Sequence, residues 1–245
     1  AMSRQLTLTS LSGWTSSAAD ATCGQTADLK SSANSPSATS PVPWPPAGVK
    51  PYYSDEAVCI ILGDCRDILP SLGPVDLVLT DPPYGMGEVY LRDGESITRR
   101  AVAEWDMAFE PSDFIWPSTP LVAFTVDWQI PAWYKLRPAG RLLTWVKPNP
   151  TPSFRKQIIN ACEFVFFDSP VIYKGWEKTQ TAVVGPFEGN RSHPTQKPLW
   201  LISHLLQLFG GQIALDPFMG SGTTLRAAKD LGRKAIGIEI EERYC

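Results

Sequence analysis

Asp81-Pro82-Pro83-Tyr84 sets a carboxylate and a phenol around two residues that fix φ and carry no backbone N–H. The run Val75-Asp76-Leu77-Val78-Leu79-Thr80 leads into it, so the tetrapeptide belongs at the carboxyl end of a strand. A carboxylate and a tyrosine held on a rigid turn suit a clamp for a planar amine. A second group, Asp216-Pro217-Phe218-Met219-Gly220-Ser221-Gly222, lies between the apolar Ile213-Ala214-Leu215 and a helix starting at Thr223. Its glycines let the backbone approach a ligand closely, and the helix N-terminus favours a carboxylate or phosphate. Nineteen positions beyond Gly220, Glu239 closes the strand Ala235-Ile236-Gly237-Ile238-Glu239, placed to accept hydrogen bonds from ribose hydroxyls. No third glycine follows at dinucleotide spacing, which favours a nucleoside cofactor without a pyrophosphate.

These groups need a scaffold of alternating strands and helices. Strands are expected at Ala57–Leu62, Val75–Thr80, Leu121–Val126, Arg141–Val146, Phe164–Phe167, Val171–Tyr173, Ile213–Leu215 and Ala235–Ile240. Helices are expected at Leu199–Phe209, stopped by Gly210-Gly211, and at Thr223–Leu231, stopped by Gly232. Several strands read as continuous apolar runs, the pattern of strands buried on both faces. The fold class is therefore α/β with a largely parallel sheet. Folded structure is expected from about Tyr52. Residues 1–50, rich in Ser, Thr, Ala and Pro, read as a flexible leader, and residues 51–245 as one domain.

Composition narrows the function classes. The chain has 245 residues, 43% hydrophobic and 19% charged, with no apolar run long enough to span a bilayer and no signal-peptide pattern, so a cytoplasmic protein is expected. Five scattered cysteines without a Cys-x-x-Cys pair, and two histidines, argue against a disulfide framework or a metal site. Net charge is −3, yet ten Lys or Arg face four Asp or Glu between Lys135 and Pro198. A basic segment in a mildly acidic chain suits contact with phosphates, and equally an ordinary solvated surface.

With these blocks in order, the chain resembles the β group of S-adenosylmethionine-dependent DNA amino-methyltransferases, which act on adenine N6 or cytosine N4. Asp81-Pro82-Pro83-Tyr84, then His193-Pro194-Thr195-Gln196-Lys197-Pro198, then Asp216 to Thr224 carry the resemblance. It covers about Val58 to Cys245. The catalytic block precedes the cofactor block, which marks the circularly permuted form of the fold.

The resemblance implies a Rossmann-like, mostly parallel seven-stranded sheet, with a target-recognition insertion at roughly 85–191. Asp81, Pro82, Pro83 and Tyr84 would be catalytic. Asp216, Phe218, Gly220, Ser221, Gly222 and Thr223 would surround the methionine end of S-adenosylmethionine, and Glu239 its ribose. Asp64 and Cys65 are similar to the block that meets its adenine. Thr195 and Lys197 resemble the block that closes over its carboxylate. DNA would be the partner, its target base flipped from the stack. A homodimer and a cognate restriction endonuclease are further partners that the family leaves open. Asp rather than Ser at position 81 tilts the target toward adenine N6, with cytosine N4 and a silent DNA-binding relative as alternatives. Family members continue beyond the Glu239 position into a helix covering the adenine. Here six residues follow, which leaves open a fragment, a partner-supplied cover or weaker cofactor binding.

Overall fold

The computed structural model describes residues 44–85, 109–114, 116–148, 161–169, 181–186 and 196–245. Among them, nine strands form one sheet: β1 (Tyr53–Ser54), β2 (Val58–Leu62), β3 (Leu77–Thr80), β4 (Leu121–Thr125), β5 (Arg141–Val146), β6 (Cys162–Asp168), β7 (Ala182–Val184), β8 (Ile213–Asp216) and β9 (Lys234–Glu239). Their order is β1-β2-β9-β8-β3-β4-β6-β5-β7. β1 and β6 run against the other strands, and the remaining neighbours are parallel. The seven strands from β2 to β5 in this order make the mostly parallel body, and the short β1 and β7 extend its edges. Helices α1 (Cys65–Ile68), α2 (Ile130–Leu136), α3 (Leu199–Phe209) and α4 (Thr223–Asp230) accompany the sheet. None is long and apolar enough to cross a membrane.

The continuous apolar runs are explained by two covered faces. Leu77, Leu79, Val122 and Phe124 point to one face, where they pack with Leu201, Leu205 and Leu208 of α3 and Leu225 of α4. Val78, Leu121 and Ala123 alternate to the other, under Trp133 of α2 and Trp116. Full burial of one such side chain stabilises the fold by roughly 1.5–3 kcal/mol.

Three expectations need correction. The folded contacts include Trp44, whose indole N–H donates to the Asp55 carbonyl at 2.7 Å. Trp44 and Val49 pack on the second core face, so the last part of the supposed leader is docked by apolar contact. Residues 85–191 are not one insertion either, because β4 to β7 all lie within that span and continue the sheet outward from β3. The helix expected to end at Leu231 stops at Asp230, and the last strand runs Lys234–Glu239. The strand expected at Val171–Tyr173 and residues 1–43 lie outside the described residues.

β3 and β8 pair in parallel, Leu77 with Ala214 and Val78 with Leu215. From β8 the chain crosses through α4 to β9 on one side, whereas from β3 it passes to β4 on the other. Their carboxyl ends thus flank the crevice where open α/β sheets bind ligands. Gly237 on β9 leaves room for the turn after β8 and for α4. A Cβ there would lie 2.5 Å from Met219 Sδ and 2.9 Å from both methyls of Leu225. Gly237→Ala should therefore lower the free energy of unfolding by about 1–3 kcal/mol, the usual cost of overpacking, read by denaturant melts. An unchanged midpoint would show that the turn and α4 tolerate displacement.

Candidate active site

The two motifs meet through one buried bond. Thr80 Oγ1, closing β3, donates to Asp216 Oδ1, closing β8, at 2.8 Å. The Phe218 N–H donates to the same oxygen at 3.2 Å. Burial pushes the Asp216 carboxyl up to about 6, with bonds from Thr224, Thr80 and Phe218 opposing the rise. After Pro217 the chain turns through Gly220 and Gly222, at φ +52° and +76°, a left-handed conformation that costs other residues strain. The Gly220 N–H donates to Glu239 Oε2 at 2.8 Å, and the Glu241 N–H to Glu239 Oε1 at 2.9 Å. Glu239 therefore orients the glycine turn and the chain beyond β9 at once.

A cavity of about 280 Å³ opens beside this turn. Phe218 forms part of its wall, meeting Phe109 and Phe114 edge to face at 5.7 and 5.3 Å between ring centres. Asp64, Glu239 and Tyr244 contribute polar groups. Asp64 is already engaged: it caps α1 by accepting from the Arg66 N–H at 2.9 Å, and it pairs with the Arg66 guanidinium. That guanidinium leads the effects holding its carboxyl below the usual range. Cys65 lines the cavity as a buried packing residue, its thiol pushed up to about 12 by burial and by Asp64. A smaller cavity of about 50 Å³ adjoins, with Asp216, Ser221, Thr223 and Lys197 in its wall. Asp81, Phe218 and Gly220 belong to both cavities.

The tetrapeptide is pinned from several sides. Asp81 Oδ1 accepts from the Tyr84 hydroxyl at 2.5 Å, and Oδ2 accepts from Lys197 Nζ at 2.6 Å. Gln129 Nε2 donates to the Pro83 carbonyl and Trp128 Nε1 to the Tyr84 carbonyl, each at 3.2 Å. Among the described residues, no donor reaches the Pro82 carbonyl. Burial pushes the Asp81 carboxyl above its ordinary range, against the pull of Lys197 and Tyr84. For Lys197, burial works against the charge, but Asp81 and Glu163 outweigh it and hold the ammonium above its ordinary value.

Lys197, assigned from sequence to a cofactor carboxylate, thus rests its ammonium on Asp81. Thr195 and His193 lie outside the described residues. Sequence reasoning missed Glu163, Gln129 and Trp128, and did not connect Phe109 and Phe114 with the cofactor motif. The Trp128-Gln129 pair, separated by two residues from the strand Leu121–Thr125, was the available signal for the pinning residues. Glu163 had one too, as an acid heading an aromatic strand.

The raised Asp216 carboxyl makes stability depend on pH. Its ionised form is less favourable in the folded chain than in the unfolded one. Its contribution is present below the unfolded value of 3.8 and lost as pH rises through about 6. The gap corresponds to roughly 3 kcal/mol. Asp216→Asn has no such transition. Its stability relative to the parent chain, from urea melts, should improve by that order between about pH 4 and about pH 7.5. A difference independent of pH would contradict the buried, raised carboxyl.

Comparisons with known proteins bear on the family of the chain. The N6/N4 methyltransferase family model, described as DNA methylase, matches residues 167–245. "Putative methylase YubD" of Escherichia coli K12 is 32% identical over 204 residues, covering 75% of this chain and 85% of that protein. The type II methyltransferase M2.DpnII of Streptococcus pneumoniae is 26% identical over 250 residues, covering 80% and 89%. The crystal structure of the M1.HpyAVI-SAM complex superposes with a TM-score of 0.53 at 26% identity, over 76% of this chain and 96% of that one. The cytosine-N4-specific PvuII DNA methyltransferase shares the fold, with a TM-score of 0.59 at 17% identity, over 80% and 86%. On these relatives, and with the order of its motifs and strands, the chain belongs to the N6/N4 DNA methylase family of amino-methyltransferases.

Proposed function

We propose that this chain transfers a methyl group from S-adenosylmethionine to the exocyclic N6 of adenine in DNA. The observation that carries the reading is the position of Asp81, in the shared wall of the two cavities and beside the glycine turn. The residues present fit the cofactor. The cavity has aromatic walls for a planar base, Glu239 for hydroxyls, and a glycine turn that permits close backbone approach. Asp216, Ser221 and Thr223 offer polar partners for an amino-acid end in the smaller cavity. When bound, the cofactor would supply a sulfonium methyl, with the carbon–sulfur electron pair remaining on sulfur.

The chain's own residues prepare the nitrogen. An exocyclic amine is a poor nucleophile because its lone pair is delocalised into the ring. Asp81 and the Pro82 carbonyl can each accept a hydrogen bond from one of its N–H groups, drawing the nitrogen toward sp³ geometry and freeing the lone pair. The carboxylate then offsets the positive charge that develops on nitrogen, and the surplus proton leaves to solvent. Holding both reactants in place lowers the barrier by several kcal/mol more. Tyr84 lies beside this point and offers a face for the base, which must first leave the duplex stack. The aspartate at position 81, where a serine is the cytosine-type residue, supports adenine as the target.

Mass spectrometry of nucleosides from treated DNA should show N6-methyladenine. Methylcytosine alone would replace the adenine reading with N4 transfer, and neither product would refute both. Asp81→Ala should cut transfer by at least about 10²-fold, as removal of a charge-stabilising group does. Cofactor affinity by calorimetry should change little. Retained transfer would refute the role given to Asp81.

A further inference from the structure

Behind the clamp lies a chain of alternating charges that the proposed mechanism does not use. Lys197 Nζ touches Asp81 Oδ2 at 2.6 Å and lies 3.5 Å from Glu163 Oε2 on β6. Glu163 Oε1 is paired with Lys147 at the end of β5. Oε2 is buried and has no hydrogen-bond donor among the described residues. The lysine side chain is 6% exposed, its ammonium 4.9 Å from the Phe124 ring centre and 5.3 Å from that of Tyr84. A buried acceptor without a well-formed hydrogen bond is costly, and here a cation pairs with it at 3.5 Å, longer than an ordinary hydrogen bond.

This arrangement conflicts with the proposed chemistry unless the lysine moves. In the structure Asp81 is neutralised by Lys197, yet the clamp needs its negative charge for a nitrogen that becomes cationic. An ammonium on the same carboxylate would repel that nitrogen. We infer that Lys197 is a two-position cation, resting on Asp81 until a target amine arrives and then drawn onto Glu163 Oε2. Glu163 is thereby a positioning residue for the transfer step. The approach to Glu163 needs about 0.7 Å, from 3.5 Å to an ordinary bonding distance of about 2.8 Å. No bond is made or broken in it. The network keeps two carboxylates against two ammoniums throughout, and only the point of pairing changes.

The inference rests on the methyltransferase reading, and the experiment separates the two. Transfer of labelled methyl from S-adenosylmethionine to unmethylated plasmid DNA is measured for the full chain and its Glu163→Gln and Glu163→Asp variants. Calorimetry of S-adenosylmethionine binding and thermal melts accompany each. The expected result is at least a tenfold fall in kcat for Glu163→Gln, with cofactor affinity within about twofold. Glu163→Asp, which keeps the charge, should recover part of the loss. A Glu163→Gln chain that melts early and binds no cofactor is replaced by the charge-balanced pair Glu163→Gln with Lys147→Gln, for which the same fall in kcat is expected. Normal kcat in a folded variant lacking the Glu163 charge overturns the inference while leaving the function standing. A full chain that binds S-adenosylmethionine but methylates no base overturns the functional reading and this inference with it.

Discussion

The bond from Thr80 to Asp216 is the constraint on which the site depends. It spans 136 residues of sequence and closes the carboxyl ends of two neighbouring parallel strands. With those ends level, the Asp81 turn and the Gly220 turn open into the same crevice. A one-residue slip of register would carry the two turns to different heights and turn the strand side chains to the other face. The sheet secures the register by burying β3 completely, with Leu77, Val78 and Leu79 inaccessible to solvent. Permutation leaves this untouched, because strand neighbours, and not chain order, decide which ends meet.

Electrostatics and packing divide the work at the site. The sheet and α3 supply stability by apolar burial, while the charges around Asp81 contribute little of it. A buried ion pair recovers only part of its desolvation cost, and apolar replacements are often as stable. Four linked charges beside a cavity are therefore better understood as fixing where charge sits. Lys197 couples the tetrapeptide to β6, and Glu163 couples β6 to β5 through Lys147.

Much of the fold was legible because parallel strands covered on both faces leave continuous apolar runs. Arg141–Val146 and Leu199–Phe209 match the structure residue for residue. The short α2 was not legible, since Pro131 in its first turn reads as a breaker although that position tolerates proline. Nor was the reversal of β6, because nothing local distinguishes a strand threaded antiparallel between β4 and β5. The site followed the same division. Residues on the two turns carry their own signature, since glycine, proline and aspartate are needed there for backbone reasons. Phe109 and Phe114 reach the larger cavity, and Glu163 reaches Lys197, from remote segments, where only tertiary packing gives an acid or an aromatic ring its task. Lys197 was visible within its block, but its partner was not.

The pinning of the tetrapeptide carries a consequence for product. Gln129 and Trp128 occupy the Pro83 and Tyr84 carbonyls, which leaves Asp81 and the Pro82 carbonyl to receive the amine. A clamp with two acceptors in effect counts hydrogens. In the proposed reaction the incoming amine brings two, and the methylated amine keeps one. Returning to the clamp, the product would leave one buried acceptor empty, at a cost of roughly 1–3 kcal/mol. In that reaction the geometry that admits the unmodified base would disfavour the finished one, and a single methyl per base would be the expected product.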